Sequence, residues 1–147
     1  MTSNEMQTRY QQRITPLLGV HDPQERLSIL ARPNSGQVPE LPKTARDDAW
    51  RVPGCISRVW LRGRVVEGRL QLEFAAESTM VRGLALALCV LYHDYPVDDG
   101  CPPPVDLPLA LGLVDWISPT RVAGLQALET VIRQIAWGNQ VDNNPVA

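Results

Sequence analysis

Ser57-Arg58-Val59-Trp60-Leu61-Arg62-Gly63-Arg64-Val65-Val66, then Glu67-Gly68, then Arg69-Leu70-Gln71-Leu72-Glu73-Phe74, is the stretch that decides the fold. In the first run Val59, Leu61 and Val65 stand opposed to Arg58, Arg62 and Arg64. In the second, Leu70, Leu72 and Phe74 alternate with Arg69, Gln71 and Glu73. A period of two sends alternate side chains to opposite faces of a strand. With the Gly-containing turn Glu67-Gly68 between the runs, the reading is an antiparallel hairpin.

Helical patterns lie on either side of it. Ser78 is placed to cap a helix over Thr79–Tyr92 that is apolar on most faces and therefore central. Ser118-Pro119-Thr120-Arg121 opens a last helix with a cap and a proline at its first position. Its stripe of Leu125, Leu128, Val131, Ile132 and Ile135 is spaced for packing on a sheet. Upstream, Asp22 can cap, Pro23 fits a first helical position and Glu25 sits where a capping-box acid belongs, which predicts a helix over residues 23 to about 31. Residues 1–20 read as a loosely amphipathic helix weakened by Pro16.

Residues 33–54 read as a long surface segment whose only apolar marks are Val38, Leu41, Trp50 and Val52, and long loops in compact domains are often functional. Residues 94–108, rich in proline and acids, read as a loop or short turns, and 109–116 as a short apolar segment. With no internal repeat and no splitting linker, the expectation is one α+β domain over residues 1–147. Its core should cover about residues 8–138, with a disordered tail over 139–147.

The bulk numbers narrow the function classes. At 147 residues, 44% hydrophobic and 20% charged, the chain suits a single compact soluble domain. A net charge of −2 without a basic stripe argues against nucleic acid. Thirteen of the 14 cationic residues are arginine, which confines lysine-based covalent chemistry to Lys43. Neither a signal-peptide layout nor an apolar run of ~18 residues is present, so the expected compartment is the cytoplasm, with no membrane partner. Cys55, Cys89 and Cys101 are an odd number without CxxC spacing, which suggests neither a disulfide framework nor a zinc ribbon.

Cys55 follows a Pro53-Gly54 turn and precedes the first strand. Arg51 and Arg58 flank it and favour its thiolate, while Gly54 permits a sharp bend and leaves space beside the sulfur. Two readings stay open on the residues alone: a thiol that must meet another protein's sulfur, or a small apolar residue entering a strand. Cys89, between Leu88 and Val90, reads as core, and Cys101 as an incidental loop thiol whose ionisation Asp98 and Asp99 oppose. The two histidines, His21 and His93, sit in no catalytic motif; His93 follows the central helix, where an imidazole commonly serves the dipole. The acids Asp94, Asp98 and Asp99 read as a solvated loop, and no ligand cluster suggests a metal.

Several blocks together resemble the SufE/CsdE family of sulfur-acceptor proteins. Leu41-Pro42, then Val52-Pro53-Gly54-Cys55 with Ser57 and Val59-Trp60, match that family's cysteine block. Glu77-Ser78 with Val81-Arg82-Gly83-Leu84 resembles a second block. Leu113 with Ile117-Ser118-Pro119-Thr120-Arg121 and Gly124-Leu125 resembles a third. The chain departs from the pattern at Ile56, Thr79 and Trp116, where Gln, an acid and His are common in the family.

The resemblance implies a small antiparallel sheet packed against several helices, like SufE and IscU. It implies that Cys55 accepts sulfur as a transient persulfide from a pyridoxal-phosphate cysteine desulfurase of the SufS/CsdA kind. Sulfur would then pass to an iron–sulfur scaffold or another acceptor. The chain would be an accessory protein rather than an independent enzyme, with no cofactor of its own, the pyridoxal phosphate belonging to the partner. Arg121 matches the family's arginine beside the cysteine loop, so Arg51, Gly54, Arg58 and Arg121 are the candidates for positioning the loop or contacting the partner. The alternatives are an iron–sulfur cluster scaffold and a non-catalytic interaction module of the same fold.

Overall fold

The computed structural model describes residues 2–30, 38–53, 58–97 and 102–141. The expected hairpin forms the heart of it. Strand β1 (Val59–Val66) pairs antiparallel with β2 (Arg69–Ala76), with Leu61 opposite Phe74 and Gly63 opposite Leu72. Glu67 and Gly68 both take positive φ (53° and 76°), as a type I′ turn requires. Arg62 faces Glu73 across the strands and bonds it at 2.9 Å, on the face opposite the core.

Helices cover the apolar face. Helix α4 (Thr79–Tyr92) begins where Ser78 Oγ accepts the Val81 N–H at 3.4 Å, and it crosses β2. Helix α6 (Pro119–Val141) begins where Ser118 Oγ accepts the Arg121 N–H at 3.2 Å, and it crosses β1. Such caps contribute about 1 kcal/mol each by satisfying an N–H that no helical carbonyl can reach. At Gly63 a Cβ would stand 2.9 Å from Ile135 Cδ1 and from Leu72 Cδ2, so the close seating of α6 on β1 depends on that glycine.

At the N-terminus Pro16 divides the expected helix into α1 (Thr2–Arg13) and α2 (Thr15–Leu18). Helix α3 (Pro23–Leu30) starts as expected, with Asp22 Oδ1 accepting the Gln24 N–H at 3.0 Å. Helix α1 is tied to the far end of α4. Arg9 donates to the Leu91 and His93 carbonyls at 3.1 and 2.6 Å, and its guanidinium stacks 5.1 Å from the Tyr95 ring centroid. A cation there meets carbonyls that have no partner within the helix.

Three segments differ from expectation. The described part of the supposed surface segment, residues 38–53, is folded onto the sheet: Val38, Leu41 and Val52 are buried. It contains one-turn 3₁₀ helices at Lys43–Ala45 and Asp48–Trp50, and Leu41 packs with Trp60 and Ala75 on the outer face. Within residues 94–108, Tyr95–Pro96 forms a third strand, β3, antiparallel to Arg69 and Leu70, and Leu107–Ala110 forms the short helix α5. Helix α6 also runs three residues past Gly138, into the expected disordered tail, because nothing in Asn139-Gln140-Val141 breaks a helix already propagating. The result is an α+β fold with a three-stranded sheet in the order β1-β2-β3.

A buried carboxylate organises the proline-rich stretch. Glu129 accepts the N–H groups of Val105 and Asp106 at 2.7 and 3.2 Å and lies 2.5 Å from the Tyr92 hydroxyl. Helices α4 and α6 and residues 105–106 are thereby joined at one point, away from the first turns of the two helices.

Candidate functional site

A cavity of about 440 Å³ opens where the first turns of α4 and α6 meet the start of β1. Among the described residues its walls are Val59 from β1, Val81, Leu84 and Ala85 from α4, and Leu125 and Leu128 from α6. Ser118, Thr120, Arg121 and Gly124 make its polar rim. Residues 81, 84 and 85 share one helical face, as do 121, 124, 125 and 128, so each helix presents one stripe to the space.

The three sequence blocks, separated by tens of residues along the chain, therefore converge here: Val59 from the first, Val81 and Leu84 from the second, Ser118, Thr120, Arg121 and Gly124-Leu125 from the third. Two capped helix N-termini adjoin the space, each carrying a partial positive charge. Arg121 is exposed on the rim, and among the described residues its guanidinium makes no ion pair or hydrogen bond.

The chain on either side of residues 54–57 is paired beside this cavity, which Val59 lines. Val52 N–H donates to the Val59 carbonyl at 2.8 Å, and Arg51 bridges antiparallel to Trp60. Val52 and Val59 are both buried, so the two feet of the turn are fixed to each other and to the core. Gly54 and Cys55, like Cys101, lie outside the described residues.

The other candidates are distributed differently. Arg58 is exposed, 4.0 Å from Glu77 Oε1, and its carbonyl accepts the Glu77 N–H at 3.1 Å. Arg51 is exposed and lines a smaller recess of about 220 Å³ with Trp50, Leu61 and Ile135, not the main cavity. Only Arg121 of the expected arginines reaches the main cavity. Residues such as Ala85 and Leu128 carry no chemical signature in a sequence; only their helical spacing hints that they share a wall.

Cys89 is fully buried in α4, and burial pushes its thiol up to about 12, so it remains a protonated core residue near neutral pH. His93 departs from expectation. Its Nδ1 accepts the Leu72 N–H at 3.0 Å, between the Leu70 and Phe74 positions that main-chain partners fill, so the ring completes the edge of β2. An imidazole used as an acceptor is neutral, and half-burial lowers its pKa, so it does not serve the helix dipole as a cation. Among the described residues no three His, Cys, Asp or Glu side chains group so as to hold a metal ion. None of the helices there is long and apolar enough to cross a membrane.

Residues 11–136 match the family model described as "SufE: Fe-S metabolism associated domain". The chain belongs to the SufE family. It is similar to the sulfur acceptor protein CsdE of Escherichia coli (strain K12), with 32% identity over 119 residues, or 80% of this chain and 78% of that protein. An uncharacterised SufE-like protein of Mycobacterium tuberculosis (strain ATCC 25618 / H37Rv) is 30% identical over 115 residues, 76% of this chain and 80% of its own length. One from Rhizobium meliloti (strain 1021) is 28% identical over 106 residues, 69% of this chain and 76% of its own. The SufE match spans the cysteine turn and all three blocks that meet at the cavity.

Proposed function

We propose that this SufE-family protein is a cytoplasmic sulfur acceptor that stimulates a pyridoxal-phosphate cysteine desulfurase and carries sulfur on Cys55. The convergence of the three blocks on one apolar cavity beside the cysteine turn is the observation that carries this reading. Chain connectivity limits Cys55 to within about 11 Å of the Val52 Cα and about 14 Å of the Val59 Cα, at ~3.6 Å per residue. Val59 itself lines the cavity, on whose rim helix N-termini and Arg121 favour an anion.

The chemistry is a thiol–persulfide exchange. The Cys55 thiolate attacks the outer sulfur of the persulfide on the desulfurase cysteine. A new S–S bond forms on Cys55, the old S–S bond breaks, and the desulfurase cysteine leaves as its thiolate. No net oxidant or reductant is consumed. The apolar walls shelter the new persulfide from water and stray thiols, and a second exchange passes the sulfur to an iron–sulfur assembly scaffold or another acceptor. Arg121, at the rim, positions the anionic sulfur or the partner. The cofactor of the overall reaction resides in the desulfurase.

The test is alanine release by a partner desulfurase with and without this protein. Cys55→Ser should abolish the stimulation while leaving the circular dichroism spectrum unchanged. Cys89→Ser, which places a hydroxyl in the core, should keep the stimulation and lower the melting temperature. Equal stimulation by Cys55→Ser and the unmodified protein would refute the reading.

A further inference from the structure

On the opposite face of the sheet a second cavity, of about 630 Å³, is lined by Arg62, Arg64, Gln71 and Glu73 and walled by Pro39, Trp50 and His93. Its volume is in the range of small-molecule sites. Arg62 and Glu73 neutralise one another at 2.9 Å, and the Arg62 guanidinium also lies 5.8 Å from the Trp50 ring centroid. Arg64, on the same face and exposed, makes no ion pair or hydrogen bond among the described residues. His93 adds a donor: with Nδ1 accepting from Leu72, the proton of the neutral ring is on Nε2, which has no hydrogen-bond partner among the described residues.

A guanidinium whose N–H donors meet no acceptor among the described residues, a second N–H donor and an indole wall in one recess are the elements that recognise a carboxylate on an apolar body. We propose that this cavity binds a small carboxylate anion between Arg64 and His93 Nε2–H, with the anion's apolar body against Trp50. The carboxylate belongs either to a free organic acid or to the C-terminus of a peptide. The site shares no lining residue with the cavity at α4 and α6 and does not depend on Cys55.

Titration of the full ¹⁵N-labelled chain, read at the Trp50 indole N–H, tests this with benzoate for the free acid and N-acetyl-Ala-Phe for the peptide terminus. N-acetyl-Ala-Phe-amide serves as the uncharged control. Saturable shifts with either acid, weakened at least tenfold in Arg64→Gln and several-fold in His93→Asn, are the expected result. The preferred acid then identifies the source of the carboxylate. His93→Asn keeps an acceptor for the Leu72 N–H, so its effect reads ligand contact rather than the sheet edge. No saturable shift with either acid, equal binding of the amide, or unchanged affinity in Arg64→Gln would overturn the proposal.

Discussion

The two halves of α4 are similarly apolar and yet end in opposite circumstances. Toward its C-terminus Leu88, Cys89, Leu91 and Tyr92 are wholly buried, and Arg9, His93 and Glu129 fasten the helix end or its neighbours with hydrogen bonds. Toward its N-terminus Val81 is only half-buried, and with the buried Leu84 and Ala85 it lines the cavity. The difference arises from what meets each half: α1, β2 and the Glu129 junction at one end, the glycine-bearing first turns of α6 at the other. Packing is completed where the domain needs stability and left incomplete beside the cysteine turn, where the proposed chemistry needs space.

The sharpest way to break that contrast is to exchange the two conditions. Leu88→Ala opens a void in the filled half and should cost about 3 kcal/mol, measured by urea unfolding, with desulfurase stimulation retained below the melting temperature. A loss under about 1 kcal/mol would show that this half is not tightly packed. Ala85→Leu fills the open half instead. Stability should fall by about 1–3 kcal/mol, because Ala85 is itself buried and the added atoms must displace neighbours as they enter the cavity, while sulfur acceptance falls at least tenfold. Full activity in Ala85→Leu would separate the cavity from the chemistry.

A smaller effect concerns the edge that His93 completes. Burial lowers its pKa below the ordinary value near 6.5; Asp94 opposes the shift and Arg9 adds to it. Between the lowered pKa and 6.5 the unfolded chain binds the extra proton, so this contribution to stability is complete above about pH 6.5 and declines as pH falls. His93→Asn retains an acceptor without the titration and should flatten that part of the pH–stability profile. An unchanged profile would remove His93 from the acid response.

The elements that enclose both halves were legible where local rules speak. Alternation in β1 and β2, the Glu67-Gly68 turn, and the Ser78 and Ser118 caps all act within a few residues, and each appears in the structure as read. What escaped depends on distant partners. Arg9 meets carbonyls 82 and 84 residues away, and Glu129 meets Tyr92 37 residues away. Residues 38–53 lack periodicity because they are held by single bridges, such as Glu40 to Phe74 and Arg51 to Trp60. Of the site, the family blocks were visible, but their meeting around one cavity is a property of how α4 and α6 lie on the sheet.

The central claim concerns one sulfur atom, and peptide-level mass spectrometry tests it most directly. The protein is incubated with a cysteine desulfurase and free cysteine, trapped by alkylation and digested. An added mass of about 32 Da, one sulfur atom, should appear on the peptide carrying Cys55 and not on those carrying Cys89 or Cys101. Unmodified Cys55 under conditions where the desulfurase turns over, or sulfur found on Cys101 instead, would contradict the account.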